Sequence, residues 1–225
     1  LPAGEAHHAR DVLRLDERTP IELFDDAGQV ARGELLFDSG RGACVAVQEI
    51  EPRDANVFHL TIAAAIPKGE RADWMIEKLS ELGVARFIPL ATQRSVVLPG
   101  GTNKLQRWER IAIEAAKQSH RDGLMRIDKL QPLAEATVSP PQRSAPPAWY
   151  LSTEPGAAPI SAMLQSFTAA ELRLFIGPEG GWTDAERTAF DAAGLTAVRL
   201  TDTILRIETA AVAAAAVVMC ILDNR

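Results

Sequence analysis

The sequence predicts an α/β fold with a mainly parallel sheet, preceded by a small β-rich unit. From Val57 onward, short apolar runs alternate with helical patterns, as in successive strand–helix–strand units. Before that point the apolar runs are short and separated by turn clusters at roughly ten-residue spacing, which suggests a compact barrel or sandwich. The composition of the 225 residues, 47% hydrophobic and 24% charged, is that of a packed globular chain and excludes disorder as the dominant state.

The elements follow in order. Ile21 to Phe24, Gly33 to Phe37 and Ala43 to Val47 read as strands. Asp25-Asp26-Ala27-Gly28 and Asp38-Ser39-Gly40 read as turns between them. Glu51-Pro52-Arg53-Asp54 reads as a linker. Val57 to Ile66 is β-prone and is broken by Pro67-Lys68-Gly69. A helix over Arg71 to Leu82 carries Met75, Leu79 and Leu82 on one face, with Gly83 as its left-handed cap. Val84 to Leu90 is a strand. Lys104 to Ser119 is a helix with Leu105, Trp108, Ala112 and Ala115 on one face. Residues 138–147 are rich in Pro and Ser and read as a loop. Then come a strand over Ala148 to Leu151, a short helix near Ile160 to Phe167 and a strand over Leu172 to Ile176. Thr183-Asp184-Ala185-Glu186 is a capping box that opens a helix ending at Gly194. A strand over Ala197 to Leu200 and an Ala-rich helix close the pattern.

Charge is uneven. Residues 1–60 carry 6 Lys/Arg against 12 Asp/Glu, residues 61–140 carry 12 against 9, and residues 141–225 carry 6 against 9. No global basic field for nucleic acid exists, and only the middle third offers a local one. Cys44 and Cys220 are too few for a disulfide framework or a four-thiolate zinc site, and read as small buried hydrophobes in a reducing compartment. His7-His8 point apart, with no further ligands at metal spacing, so no metal is expected. Ala210 to Leu222 is too short to span a bilayer and reads as a buried helix. The chain starts with Leu, not Met, and no signal-peptide pattern follows. No nucleophile elbow or Cys/His pairing points to a hydrolase.

Three segments carry candidate chemistry. Ile176-Gly177-Pro178-Glu179-Gly180-Gly181-Trp182-Thr183 places three glycines and a proline between a strand and a capped helix. It is either a tight turn or a loop whose backbone approaches a ligand at a strand's carboxyl end. It matches neither the dinucleotide fingerprint nor the P-loop. Leu200 to Ala210 runs from a strand through a polar loop and Arg206 into a helix start. On spacing alone, Arg206 simply pairs with Glu208 in the first turn. Lys104, Arg107, Arg110, Lys117, Arg121 and Arg126 are interleaved with only Glu109, Glu114 and Asp122. Positions 107, 110, 117 and 121 share one helical side, as a solvated face or as a phosphate-contacting strip.

In order and spacing, a set of segments resembles the RsmE family of bacterial methyltransferases, which modify N3 of a uridine in 16S ribosomal RNA. They are His8 to Leu15, Lys68 to Lys78, Glu81 to Val84, Gln93 to Ser95, Arg107-Trp108, Ile113 to Ser119, Ile176 to Gly181 and Ile204 to Ala211. They run through nearly the whole chain, and the ordered set is highly specific.

The resemblance implies a PUA-like β-barrel over residues 1–55 and a SPOUT domain over residues 56–225. The latter is an α/β fold whose end threads a loop into a trefoil knot, an exception to un-knotted topology. It implies a cytoplasmic homodimer packed across the knot, with 16S rRNA as partner and no membrane. It implies S-adenosylmethionine as methyl donor, held by three loops that match Leu151 and Ser152; Ile176, Gly177, Pro178 and Gly180; and Leu200, Ile204 and Leu205. Arg206 would stabilise the uridine anion, and Glu179 would act as a base or orient Arg206, the orienting role ranking first. Arg10, Arg14, Lys68, Arg71, Arg94, Arg107, Lys117 and Arg121 would contact RNA. Departures from the pattern are the missing residues before His7-His8, including a first strand, the acidic N-terminal part, Thr203 where Arg is usual, and Ile207 where Thr is common. Another RNA target, or a catalytically silent RNA-binding or assembly factor, are the alternative readings.

Overall fold

A computed structural model describes residues 1–25, 29–40, 42–51, 58–96, 102–121, 123–138 and 145–222. They form two compact units, Leu1–Ala55 and Asn56–Arg225. The expected turn at Asp26 to Gly28, the linker after Glu51, Val57, Asp122 and most of the 138–147 loop lie outside the described residues.

The first unit opens with a helix that the sequence reading did not expect. Helix α1 (Ala3–His7) runs on through one widened turn, His8–Val12. Ala6 and Ala9 are its buried contacts, spaced as one helical face. Strands β1 (Pro20–Phe24), β2 (Val30–Phe37) and β3 (Ala43–Glu51) form an antiparallel sheet in that order. Ile21 faces Gly33 and Phe37 faces Ala43. The β2–β3 register slips between Arg32 and Gly33, where a side chain at Gly33 would meet the Ala46 carbonyl. Leu35, Ala43, Ala6 and Ala9 form its small core. Asp38 closes the β2–β3 turn by accepting from the Gly40 and Gly42 amides, both at 2.9 Å. Cys44 is exposed, contrary to expectation, because it falls on the open side of β3.

The second unit contains β4 (His59–Ala65), α2 (Arg71–Glu81), β5 (Arg86–Ala91), α3 (Thr102–Gln118), the two-residue strands β6 (Arg126–Ile127) and β7 (Gln131–Pro132), and α4 (Leu133–Thr137). These are followed by β8 (Ala148–Leu151), β9 (Ala158–Pro159), α5 (Ile160–Gln165), β10 (Glu171–Ile176), α6 (Asp184–Ala192), β11 (Thr196–Arg199) and α7 (Ile207–Leu222). Every strand pairing is parallel, in the order β6-β5-β4-β10-β8-β11-β9, with β7 also on β5. Apolar side chains go to both faces of the strands, as a sheet covered on both sides requires. Leu60, Ile62, Leu172 and Leu174 join Met75, Leu79, Trp108 and Val218 in one core. Ala63, Phe175 and Tyr150 join Trp182 and Phe190 in the other.

Gly83 caps α2 at φ 83°. The Ala-rich helix α7 packs on α2, α5, β4 and β10, and Ala211, Ala214 and Ala215 are fully buried. Small side chains allow that close approach. Cys220 is exposed rather than buried, since it lies on the opposite side of α7. Among the described residues no helix is long and apolar enough to cross a membrane, and no cluster of His, Cys, Asp and Glu is placed to hold a metal ion.

Candidate active site

Strands β8, β10 and β11 are neighbours and end together at one edge of the sheet. The loops leaving their carboxyl ends surround a cavity of about 470 Å³, within the ~300–1,000 Å³ usual for small-molecule sites. All nine residues expected to hold the methyl donor line it: Leu151 and Ser152 after β8; Ile176, Gly177, Pro178 and Gly180 after β10; Leu200, Ile204 and Leu205 after β11.

Each loop is fixed by its own hydrogen bonds. Ser152 N–H donates to the Val198 carbonyl (2.9 Å), and the Ser152 hydroxyl accepts from Glu154 N–H (3.1 Å). The glycine-rich loop turns through a bond from Gly181 N–H to the Pro178 carbonyl (2.8 Å), with Gly181 at φ 69°. In the third loop the Thr201 hydroxyl donates to the Thr203 carbonyl (2.9 Å), and Arg199 pairs with Asp202.

Trp182, which the sequence reading did not single out, joins two of the loops. Its indole N–H donates to the Leu151 carbonyl (2.9 Å), and its ring lies against Gly177, where an added Cβ would sit 2.9 Å from the ring. The ring also packs edge-on against Phe190, centroids 4.8 Å apart, and Phe190 stacks on Tyr150 at 4.6 Å. Burial, chiefly, pushes the Tyr150 hydroxyl above the usual tyrosine range. The sequence signal for Trp182 was its place directly after the glycines.

The capping box forms as expected, and Glu186 does more than cap. Its Oε2 accepts from Thr183 N–H (2.8 Å), while Oε1 accepts from Gln93 N–H (2.9 Å) on the loop after β5. Glu186 is 5% exposed. Glu186→Ala should therefore lower unfolding stability by ~1–2 kcal/mol, since a cap is lost and the partly buried Gln93 amide loses its acceptor. A urea midpoint equal to the wild type would refute that.

The expected catalytic pair separates. Glu179 lines the cavity, but its ionic neighbour is Arg71, with Oε1 3.9 Å from Nη1, and not Arg206. The orienting contact expected between Glu179 and Arg206 is therefore not made, because Arg206 faces outward. Its side chain is exposed, has no polar partner among the described residues, and is not part of the cavity wall, although Leu205 and Ile207 on either side are. Glu208 pairs with Arg71 (3.3 Å) and not with Arg206.

The residues expected at RNA are dispersed. Arg10 donates to the Gly40 and Gly42 carbonyls (3.1 and 2.9 Å) and lies over the Phe37 ring. Arg14 is exposed, at φ 52°. Lys68 is exposed on the β4–α2 turn. Arg94 lines the cavity and donates to the Gly180 carbonyl (2.5 Å). Arg107 pairs with Asp73 (2.8 Å), whose other oxygen accepts from the Trp108 indole. Lys117 pairs with Glu114 (3.3 Å). Arg121 lies beyond the end of α3 and donates to the Ser80 carbonyl (3.1 Å), so positions 107, 110, 117 and 121 do not share one helical side.

The RNA methyltransferase domain family matches residues 53–219. The ribosomal RNA small subunit methyltransferase E of Synechocystis sp. is 33% identical, over 100% of this chain and 73% of the relative. That of Bacillus subtilis is 30% identical, over 92% and 83%. The crystal structure of the Neisseria gonorrhoeae ribosomal RNA small subunit methyltransferase E bound to S-adenosyl methionine is 28% identical, with a TM-score of 0.83 over 98% of this chain and 90% of that one. A probable rRNA-methyltransferase from Porphyromonas gingivalis is 27% identical, with a TM-score of 0.85 over 99% and 92%. By its sequence over the full length, and with a cavity at the loops where the motifs fall, the chain belongs to the ribosomal RNA small subunit methyltransferase E family of RNA methyltransferases.

Proposed function

We propose that this protein transfers a methyl group from S-adenosylmethionine to N3 of a uridine in 16S ribosomal RNA. The observation that carries the reading is the convergence of three separate sequence segments on one cavity at the carboxyl ends of β8, β10 and β11. The donor set fits the cofactor. Gly177 and Gly180 let the backbone approach a ligand, Leu200, Ile204 and Leu205 offer an apolar wall for an adenine, and the Glu179 carboxylate, with Glu154 and Asp184 that share Arg187 between them, faces a sulfonium and an ammonium. Bound there, S-adenosylmethionine supplies an electrophilic methyl group whose sulfur leaves as a neutral thioether.

The chain's own residues have two tasks. Uridine N3 must lose its proton, and Glu179, lining the cavity and free of Arg206, is the acceptor. The electron pair of the N–H bond stays on N3 and becomes the attacking pair. Arg206, exposed beside the cavity, meets the charge that gathers on the uridine carbonyl oxygens. Thr203 stands where the family usually has Arg, and the Thr201 hydroxyl closes the loop there without it.

The reading extends to a PUA-like first unit, a knot and a cytoplasmic homodimer. The match of residues 53–219 to the RNA methyltransferase domain family supports the knot. Val212, Ala213, Ala216, Val217 and Cys220 leave one side of α7 partly open, which supports a dimer there. Light scattering at micromolar concentration should give twice the monomer mass, and a monomer would refute the interface. The test of function is mass spectrometry of small-subunit rRNA treated with the protein and S-adenosylmethionine. A single uridine should gain one methyl group at N3. Unmodified rRNA with the donor bound would support a silent factor instead.

A further inference from the structure

A second, shallow notch abuts the cavity and shares Pro178, Glu179 and Ile207 with it. Its remaining walls include Lys68 from the β4–α2 turn and Ser95 and Val96 from the loop after β5. At about 20 Å³ it admits the edge of a ring and not a whole base. Lys68 is exposed with no partner among the described residues. The Ser95 hydroxyl accepts from Thr92 N–H (3.0 Å) and shares a second hydrogen bond with the Thr92 hydroxyl (2.8 Å); with Thr92 as the donor in that pair, the Ser95 proton is available to a ligand. Val96 is 70% exposed and offers an apolar surface beside the notch.

Behind the notch stands a buried support. Glu208 is 6% exposed; its Oε1 lies 3.3 Å from Arg71 Nη1, and its Oε2 has no hydrogen-bond partner among the described residues. Arg71 is thus the group that holds this buried charge, and the same Nη1 lies 3.9 Å from Glu179 Oε1.

We infer that this notch reads the imide edge of the target uridine, with Lys68 and Ser95 as donors flanking Glu179 as acceptor, and with Arg71 and Glu208 as residues that position Glu179. The inference rests on the proposed uridine N3 methylation. A uracil edge presents acceptor, N3–H donor, acceptor, and the notch presents the complement. Cytosine turns an unprotonated N3 toward the Glu179 carboxylate, so two acceptors meet and the base is rejected. Each uracil carbonyl has two lone pairs, so Arg206 adds to these donors without displacing them. Arg71 is a positioning residue here and not an RNA phosphate contact.

The experiment is single-turnover methyl transfer to small-subunit rRNA at saturating S-adenosylmethionine, with donor affinity measured by calorimetry for every variant. Donor affinity should stay at the wild-type value in Lys68→Met, Ser95→Ala and Glu208→Gln, while Glu179→Gln, whose carboxylate also faces the donor, is compared at donor saturation. Glu179→Gln should be slowed by ~10²–10⁴-fold at neutral pH, with the deficit shrinking at alkaline pH, where the substrate's own N3 proton is lost to solvent. Lys68→Met should lose about 10- to 100-fold and Ser95→Ala about 3- to 10-fold. Glu208→Gln should lose about 3- to 100-fold and share the alkaline recovery of Glu179→Gln, because it acts through that residue. Lys68→Met and Ser95→Ala lie on exposed turns, so they keep the test open if Glu208→Gln misfolds. Wild-type rates in those two variants, or a Glu179→Gln deficit equal at all pH values, would overturn the inference. A wild-type protein that binds the donor and leaves rRNA uridine unmodified would instead overturn the function on which it rests.

Discussion

Gly177→Val should weaken S-adenosylmethionine binding by about 5- to 150-fold. The new Cβ would start 2.9 Å from the Trp182 ring. That ring has nowhere to go, since its N–H is bonded to the Leu151 carbonyl and its edge meets Phe190. Overpacking of this kind costs ~1–3 kcal/mol, and here the cost falls on the two loops that shape the cavity. Gly180→Ala is the contrasting variant. Its Cβ would meet only the Arg94 side chain, nearest at Cδ (3.1 Å), which is flexible enough to give way. The sequence alone gives Gly177 and Gly180 equal standing in the loop; the packing of Trp182 makes Gly177 the sensitive one. Calorimetry checks this, with a thermal melt to show that the variant is folded. Unchanged affinity in Gly177→Val would remove the glycine loop from the site.

Arg206→Ala should slow methyl transfer by about 10²-fold or more, the range for a lost electrostatic stabiliser, while RNA affinity and its salt dependence stay near wild type. The side chain is exposed and has no polar partner among the described residues, so its removal leaves no orphaned group behind. Arg107→Ala is expected to act the other way. Arg107 is held outward on α3 by Asp73, and loss of one phosphate contact should flatten the log–log salt slope by roughly 0.7 to 0.9. If Arg206→Ala loses RNA but keeps turnover at saturation, Arg206 is a binding residue.

Legibility in the sequence followed the length of each element. Strand β8 was read to the residue, and α2, β5, α3, β10, α6 and α7 to within a few residues, because each carries an apolar period long enough to recognise. Strands β6, β7 and β9 have two residues apiece and no period at all. Helices α1 and α4 have five: α1 buries Ala6 alone, with Ala9 in the widened turn after it, and α4 shows only the i, i+3 pair Leu133 and Ala136. At the site, the loop residues were legible because the ends of parallel strands are where ligands sit and because the family motifs fell there. Partnerships were not. A helical wheel places Arg107 on a surface but does not show Asp73 on the facing helix, and nothing local says that Glu179 and Glu208 share Arg71.

Glu186 makes two distant amides depend on one carboxylate. Thr183 N–H and Gln93 N–H are 90 positions apart in the chain, yet neither is released to solvent while that side chain holds both. In deuterium exchange they should therefore open as a single unit, with matching protection. A molecule seated in the cavity must slow both together, so the Gln93 amide becomes a reporter of occupancy even though no ligand needs to touch it.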